Sequence, residues 1–179
     1  MADTDFWRER LPLNAELLRV DIDPRKFNDF YPCTVALHGD AQQTLSGLLE
    51  RLPSSVRDAS AAIASVAALR EAVKASHGPL QRIHQSILDC IAAQLPENAF
   101  ISTDMTQLAY TGNYAFDSLA IRSWLHPTGY GTLGYGLPAG IGAKFAAPQR
   151  PGLVLVGDGG FLYTAQELAT AVEELDSPL

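Results

Sequence analysis

The residues best suited to chemistry are Gly157-Asp158-Gly159-Gly160, directly behind the apolar run at 153–156. A continuous apolar run of that length reads as a strand buried on both faces. Where it stops, one carboxylate is followed by two glycines. Glycine lets a ligand approach the backbone closely, and successive N–H groups in such a turn form an anion-binding nest. Asp158 offers the hard oxygen ligand that Mg²⁺ takes when it bridges protein carboxylates and phosphate oxygens. The chemistry implied is a metal-assisted phosphate site. An ordinary strand-end turn also favours Asp and Gly, so these residues alone leave both readings open.

A second segment, Gly129-Tyr130-Gly131-Thr132-Leu133-Gly134, matches G-x-G-x-x-G. With Asp158 as the ribose-binding acid it would serve a Rossmann unit of an NAD(P)-dependent dehydrogenase. That fingerprint needs a strand directly before Gly129, and residues 122–127 make a poor central strand because of Pro127. The four histidines, His38, His77, His84 and His126, show no metal spacing. His126, Arg122 and Trp124 precede the glycine segment and either face a substrate or pack structurally.

Elements that would position these loops follow from apolar spacing. Residues 17–23 alternate like a strand and stop at Pro24, and 35–37 form a second short strand. Leu45, Leu48, Leu49 and Leu52 recur at helical spacing and Pro53 ends that helix. Residues 54–77 are Ala-rich and read as a helical linker. Pro79 suits a helix start, and Ile83, Ile87, Leu88, Ile91 and Leu95 make one stripe behind it. Residues 99–103 are a strand candidate, 104–107 a loop opening a short helix, and 138–147 a helix of small residues. Thr164-Ala165-Gln166-Glu167 has the form of a capping box, with Leu168, Val172 and Leu175 as the inner stripe of the helix it would start. This order predicts an α/β fold, a parallel sheet flanked by helices, with ligands at the carboxyl ends of its strands. No internal repeat is visible.

The chain has 179 residues with 13 basic and 20 acidic side chains, a net charge of −7. That balance leaves no nucleic-acid footprint. No apolar run approaches the roughly 18 residues of a membrane span. The first ten residues are polar and lack a signal-peptide core. The two cysteines, Cys33 and Cys90, have no metal spacing and read as core thiols of a reducing compartment. Together these point to a cytoplasmic protein.

Taken together, the motifs resemble a known family. Residues 131–144, GTLGYGLPAGIGAK, are similar to the segment that receives the aminopyrimidine in thiamine diphosphate (ThDP) enzymes of the acetolactate synthase, pyruvate oxidase and 2-oxo acid decarboxylase type. Gly157-Asp158-Gly159-Gly160-Phe161 followed by residues 166–172 resembles the start of that family's ThDP motif, in the same order and at the same distance. Residues 17–40, with Asp21-Ile22-Asp23-Pro24 and Gly39-Asp40, resemble the end of its Rossmann-like middle domain. The resemblance implies the C-terminal part of a middle domain in residues 1–53, a helical linker in 54–77, and the N-terminal part of the pyrophosphate-binding domain in 78–179.

It further implies ThDP and Mg²⁺ as cofactors, with Asp158 as metal ligand and Gly159 and Gly160 giving N–H groups to the diphosphate. Leu133 matches the residue that props the cofactor in its bent form, although a core leucine is the plain alternative. The Gly131 carbonyl would accept from the 4′-amino group, and Thr106 and Gln107 match a stretch touching the diphosphate. FAD is also allowed, with Asp21 or Asp23 at a strand end in reach of its ribose. The implied activity is decarboxylation of a 2-oxo acid, or acetolactate synthase-like carboligation, in a homo-oligomer (dimer or tetramer). Residues 137–140 and 158–163 are similar to decarboxylases of larger 2-oxo acids, 5-guanidino-2-oxopentanoate among them.

No catalytic residue is assigned to this chain, because the family's ring-protonating glutamate lies in a pyrimidine-binding domain of a partner subunit. The family motif also runs on to an Asn-Asn pair that completes its metal site and that this sequence lacks. The chain is therefore expected to be a fragment, inactive alone. A non-catalytic module that oligomerises and holds diphosphate is the third reading. Residues 129–136 and 157–161 are expected to be mobile without cofactor, since fixing glycine loops is entropically costly.

Overall fold

The computed structural model describes residues 14–28, 31–53, 58–118, 120–177 and 179. The polar start and the opening of the Ala-rich segment at 54–57 lie outside them. The chain divides into two compact units, Met1–Ala59 and Ser60–Leu179.

In the first unit β1 (Leu18–Asp21) pairs in parallel with β2 (Val35–His38), Leu18 opposite Val35 and Asp21 opposite His38. Helix α1 (Ala41–Arg51) starts on Asp40, whose carboxylate accepts from the Gln43 N–H at 3.0 Å, an N-cap bond. Asp21 Oδ1 accepts from the Asp23 N–H, and Asp23 is held by the Arg25 guanidinium at 2.8 Å. Both candidate ribose acids are thus engaged by neighbours in sequence. Phe27 is buried, whereas Leu45, Leu49 and Leu52 of the expected α1 stripe are exposed.

The second unit opens with α2 (Ser60–Ala75), which exposes Ile63, Val66 and Leu69. Helix α3 (Pro79–Gln94) begins with Pro79 at its first turn, as its sequence predicts. Strands β3 (Phe100–Thr103), β4 (Trp124–Leu125) and β5 (Gly152–Leu155) form one parallel sheet in the order β4-β3-β5. Ile101 lies opposite Trp124 on one side and Leu153 on the other. Helix α4 (Gln107–Ala115) follows β3 and packs on α3; α5 (Gly136–Ala146) follows β4 and packs on β3 and β5. Helices α6 (Asp158–Thr164) and α7 (Glu167–Glu174) end the unit. Its core is Leu88, Phe100, Ile101, Ala109, Leu137 and Ile141. His84 is buried beside them, its Nδ1 2.8 Å from the Thr111 hydroxyl.

The α/β parallel sheet flanked by helices is as expected, but several details differ. Strand β5 is the edge of the described sheet and half-buried, while every residue of β3 is buried. An apolar run signals tolerance of burial; being central requires pairing on both sides, which β3 has. The capping box does not form. The chain is already helical from Asp158, so Thr164 is the last residue of α6, and the residue before α7 is Gln166 in helical conformation without a side-chain cap. Leu168 and Val172 are exposed. On α3 the inward side chains are His84 and Leu88, whereas Ile83 and Ile87 are exposed. Cys90 is exposed and Cys33 half-buried, both free, so the reading as core thiols does not hold. Cys90 stands about 200° around the helix from Leu88.

Arg150, just before β5, ties the amino-terminal ends of the strands. Its guanidinium donates to the carbonyls of Asn98 (2.7 Å), Ala99 (3.2 Å) and Arg122 (3.3 Å) and lies 5.8 Å from the Phe100 ring centre.

Candidate functional site

Because β3, β4 and β5 are parallel, their carboxyl ends share one edge of the sheet, and the loops that leave it meet there. The residue joining them is Asp104, the first after β3, which is 1% exposed. Its N–H donates to the Leu155 carbonyl at 3.0 Å, continuing the β3–β5 pairing. Its Oδ1 accepts from the Met105 N–H at 2.7 Å, and its Oδ2 accepts from the N–H groups of Gly134 (2.7 Å) and Gly136 (3.3 Å). A buried carboxylate is tolerated only when its oxygens are so satisfied. Ser102 adds a hydrogen bond from its hydroxyl to the Gly136 carbonyl at 2.8 Å.

The glycines explain why the loop lies so close. Gly134 has φ +83°, a left-handed value costly for other residues. A Cβ on Gly136 would lie 2.6 Å from Val156 Cγ1, 3.1 Å from Asp104 N and 3.2 Å from the Thr103 carbonyl carbon. On the outer part of the loop, Gly131 also has positive φ and packs against Met105. Leu133, between the two anchored ends, is 45% exposed, which removes the plain reading as a core leucine.

The second loop is open. Gly157 is extended, Asp158 and Gly159 are exposed, and a Cβ on Gly159 would meet nothing within 4 Å. Gly160 is buried, and a Cβ there would lie 2.8 Å from Asp104 Oδ2. Thr106 stands behind Gly157, its Oγ1 3.6 Å from where a Cβ would be. The fold thus gathers Asp104, Thr106, residues 131–136 and residues 157–160 at one place. Gln107 opens α4 with an exposed side chain. Among the described residues, no three or more His, Cys, Asp or Glu side chains converge to hold a metal.

Asp104 and Met105 are the site residues that sequence reasoning passed over. A polar residue ending an apolar strand looks like turn chemistry; only the fold reveals how deeply Asp104 is buried. His126 packs with Nδ1 2.7 Å from the Thr103 hydroxyl. Trp124 donates from Nε1 to Asn113 Oδ1 and stacks on Phe116. Both bonds are to the protein itself.

The topology disfavours a Rossmann reading of Gly129–Gly134. That unit places its acid on the strand next to the one preceding the glycines, whereas β3 lies between β4 and β5. What the site offers is an open diglycine turn, an exposed carboxylate beside it, and an anchored loop presenting Leu133. A diphosphate fits this donor set: at Gly159 there is room for a ligand where a side chain would stand. The class defined is an α/β unit for a diphosphate-bearing cofactor.

Comparison with known proteins agrees. Residues 104–177 match the thiamine pyrophosphate enzyme C-terminal TPP binding domain, which places that stretch in the domain family of ThDP-dependent enzymes. It is 78% identical over 179 residues to Probable 2-ketoarginine decarboxylase AruI of Pseudomonas aeruginosa, covering 100% of this chain and 32% of that protein. It is 33% identical over 164 residues to the acetolactate synthase isozyme 1 large subunit of Escherichia coli K12, covering 89% of this chain and 28% of the relative. Sulfoacetaldehyde acetyltransferase of Rhodobacter capsulatus is 31% identical over 198 residues, covering 97% and 32%. The chain thus spans about a third of the length of these relatives. Among the described residues no helix is long and apolar enough to cross a membrane.

Proposed function

We propose that this chain forms the diphosphate-binding side of a ThDP- and Mg²⁺-dependent decarboxylase of 2-oxo acids, with 2-ketoarginine as substrate. The observation that carries the cofactor reading is the meeting of the anchored 131–136 loop and the open 157–160 turn at one sheet edge. The substrate reading rests on the 78% identity to a protein named for 2-ketoarginine. Acetolactate-type carboligation shares the first half of the reaction and is the coarser alternative.

When bound, ThDP supplies the electron sink that decarboxylation needs, and the protein positions it. Asp158 gives Mg²⁺ a carboxylate oxygen. The N–H groups of Gly159 and Gly160 would hold the diphosphate, with Thr106 and Gln107 as further contacts. Leu133 would support the bound cofactor from below, and the Gly131 carbonyl would be the acceptor for its amino group. No residue of this chain is assigned a proton-transfer role. The whole protein is a cytoplasmic homo-oligomer in this reading.

The test is a chimera in which this chain replaces the corresponding third of the Pseudomonas aeruginosa relative. It is expected to release CO₂ from 2-ketoarginine only with ThDP and Mg²⁺, and D158N is expected to abolish this. The 179-residue chain alone is expected to show no turnover on a panel of 2-oxo acids. A folded, correctly assembled chimera without activity, or turnover by the chain alone, would refute the assignment.

A further inference from the structure

We infer that Asp104 is a positioning residue that sets the aminopyrimidine-side loop relative to the diphosphate turn, so that the two halves of a bound cofactor are held in register. This rests on the ThDP reading of the same site. Asp104 touches neither half of the cofactor in that reading; it acts through the loops.

Three observations carry the inference. First, Asp104 Oδ2 accepts from the N–H groups of Gly134, which directly follows Leu133, and of Gly136, two residues further on. Charge-assisted bonds to backbone N–H groups are about twice as strong as neutral ones, so this carboxylate fixes where Leu133 and Gly131 stand. Second, the same Oδ2 closes the back of the other loop, where a Cβ on Gly160 would lie 2.8 Å away. One oxygen atom is thus shared as a boundary by both loops. Third, Asp104 is itself immobilised, being 1% exposed, with its own N–H on the Leu155 carbonyl and its Oδ1 on the Met105 N–H. Met105 in turn packs on Gly131, so the chain around Asp104 braces both ends of the pyrimidine-side loop. Asparagine would not replace it. Only one of its two terminal atoms is an acceptor, whereas both Asp104 oxygens receive N–H groups.

The inference makes a separable prediction, because the diphosphate turn does not receive its donors from Asp104. The experiment uses the ¹⁵N-labelled 179-residue chain and its D104N and D104A variants, D104N being the near-isosteric one in case D104A does not fold. Two readouts are taken. Amide hydrogen exchange without ligand is expected to show protected Gly134 and Gly136 in the wild type and a loss of protection of at least tenfold at these two positions in D104N. NMR titrations with Mg²⁺-ThDP and with Mg²⁺-pyrophosphate are expected to diverge. ThDP affinity should fall about tenfold in D104N, the scale of one charge-assisted bond, while pyrophosphate affinity stays within twofold. A merely structural role would weaken both ligands together, and that parallel loss overturns the inference, as does unchanged exchange at Gly134 and Gly136. If the wild type binds neither ligand, the exchange data still decide whether Asp104 anchors the loop, and the ThDP reading is decided separately by the chimera's cofactor-dependent CO₂ release.

Discussion

The two glycine loops meet at one sheet edge, yet they use glycine for opposite reasons. In the 131–136 loop, Gly134 and Gly136 are buried, their N–H groups are spent on Asp104, and a side chain on Gly136 has nowhere to go. In the 157–160 turn, Gly159 is exposed and faces open space. One loop is glycine-rich so that the protein can pack against itself. The other is glycine-rich so that something else can approach. A count of glycines cannot separate these roles; the surroundings of each missing Cβ can. The contrast also revises the expectation that both loops move freely without cofactor: Gly134 and Gly136 carry bonds that should slow their exchange, and Gly159 does not.

The sharpest way to break this contrast is to add a methyl group to each loop. G136A should destabilise the chain by about 2 kcal/mol through overpacking, a Tm fall of about 4–8 °C. G159A should leave stability unchanged or raise it slightly, since alanine suits a helical position better than glycine. Its cost should fall on pyrophosphate binding, because the methyl occupies the ligand's space. Thermal unfolding of both variants decides this, and equal Tm losses would erase the distinction between the loops.

D158N comes next. Its side chain is exposed, so the melting temperature should hold, while the gain in ThDP affinity from adding Mg²⁺ should shrink about tenfold, the scale of losing one charged ligand. Calorimetry with and without Mg²⁺ measures it; a preserved Mg²⁺ effect would remove Asp158 from the metal site. L133A should have a smaller effect: ThDP affinity lowered about threefold and pyrophosphate affinity unchanged. With 45% of Leu133 exposed, stability should fall by less than about 1 kcal/mol. A large Tm loss on L133A would restore the reading as a packed core leucine.

Much of this site was legible from local chemistry. Pro79 marked the start of α3, and Gly157 marked where the apolar strand stops, although the helix begins at Asp158 rather than near Thr164. The paired glycine motifs, in order and distance, pointed to the family. What stayed hidden depended on tertiary partners. Phe100-Ile101-Ser102-Thr103 looks less like a central strand than residues 153–156, yet it is central because it pairs on both sides. Thr164 and Glu167 have capping-box spacing, but a helix already running from Asp158 leaves no start there to cap. Asp104 looked like a turn residue because nothing nearby in sequence reveals that Gly134 and Gly136 return to it thirty-odd positions later.

The smallest expected effect lies away from the site, in the first unit. The Arg25 guanidinium beside Asp23 holds that carboxyl below its usual range. A carboxyl depressed on folding contributes stability above its unfolded pKa, which is lost as pH falls through the lower folded value. R25A should therefore raise the Asp23 titration midpoint toward the ordinary carboxylate value. Both groups are at the surface, so the stability change should be slight. Carbon-detected NMR titration reads the midpoint, and an unmoved value would mean that the pair does not persist in solution.

The most direct test of the central claim, that the two loops form one ThDP site, is an NMR titration of the ¹⁵N-labelled chain with Mg²⁺-ThDP and, separately, with NAD. Saturable shifts from ThDP are expected at Gly131, Leu133, Asp158, Gly159 and Gly160 together, with none of comparable size from NAD. Shifts confined to one loop, or equal shifts from NAD, would contradict that claim.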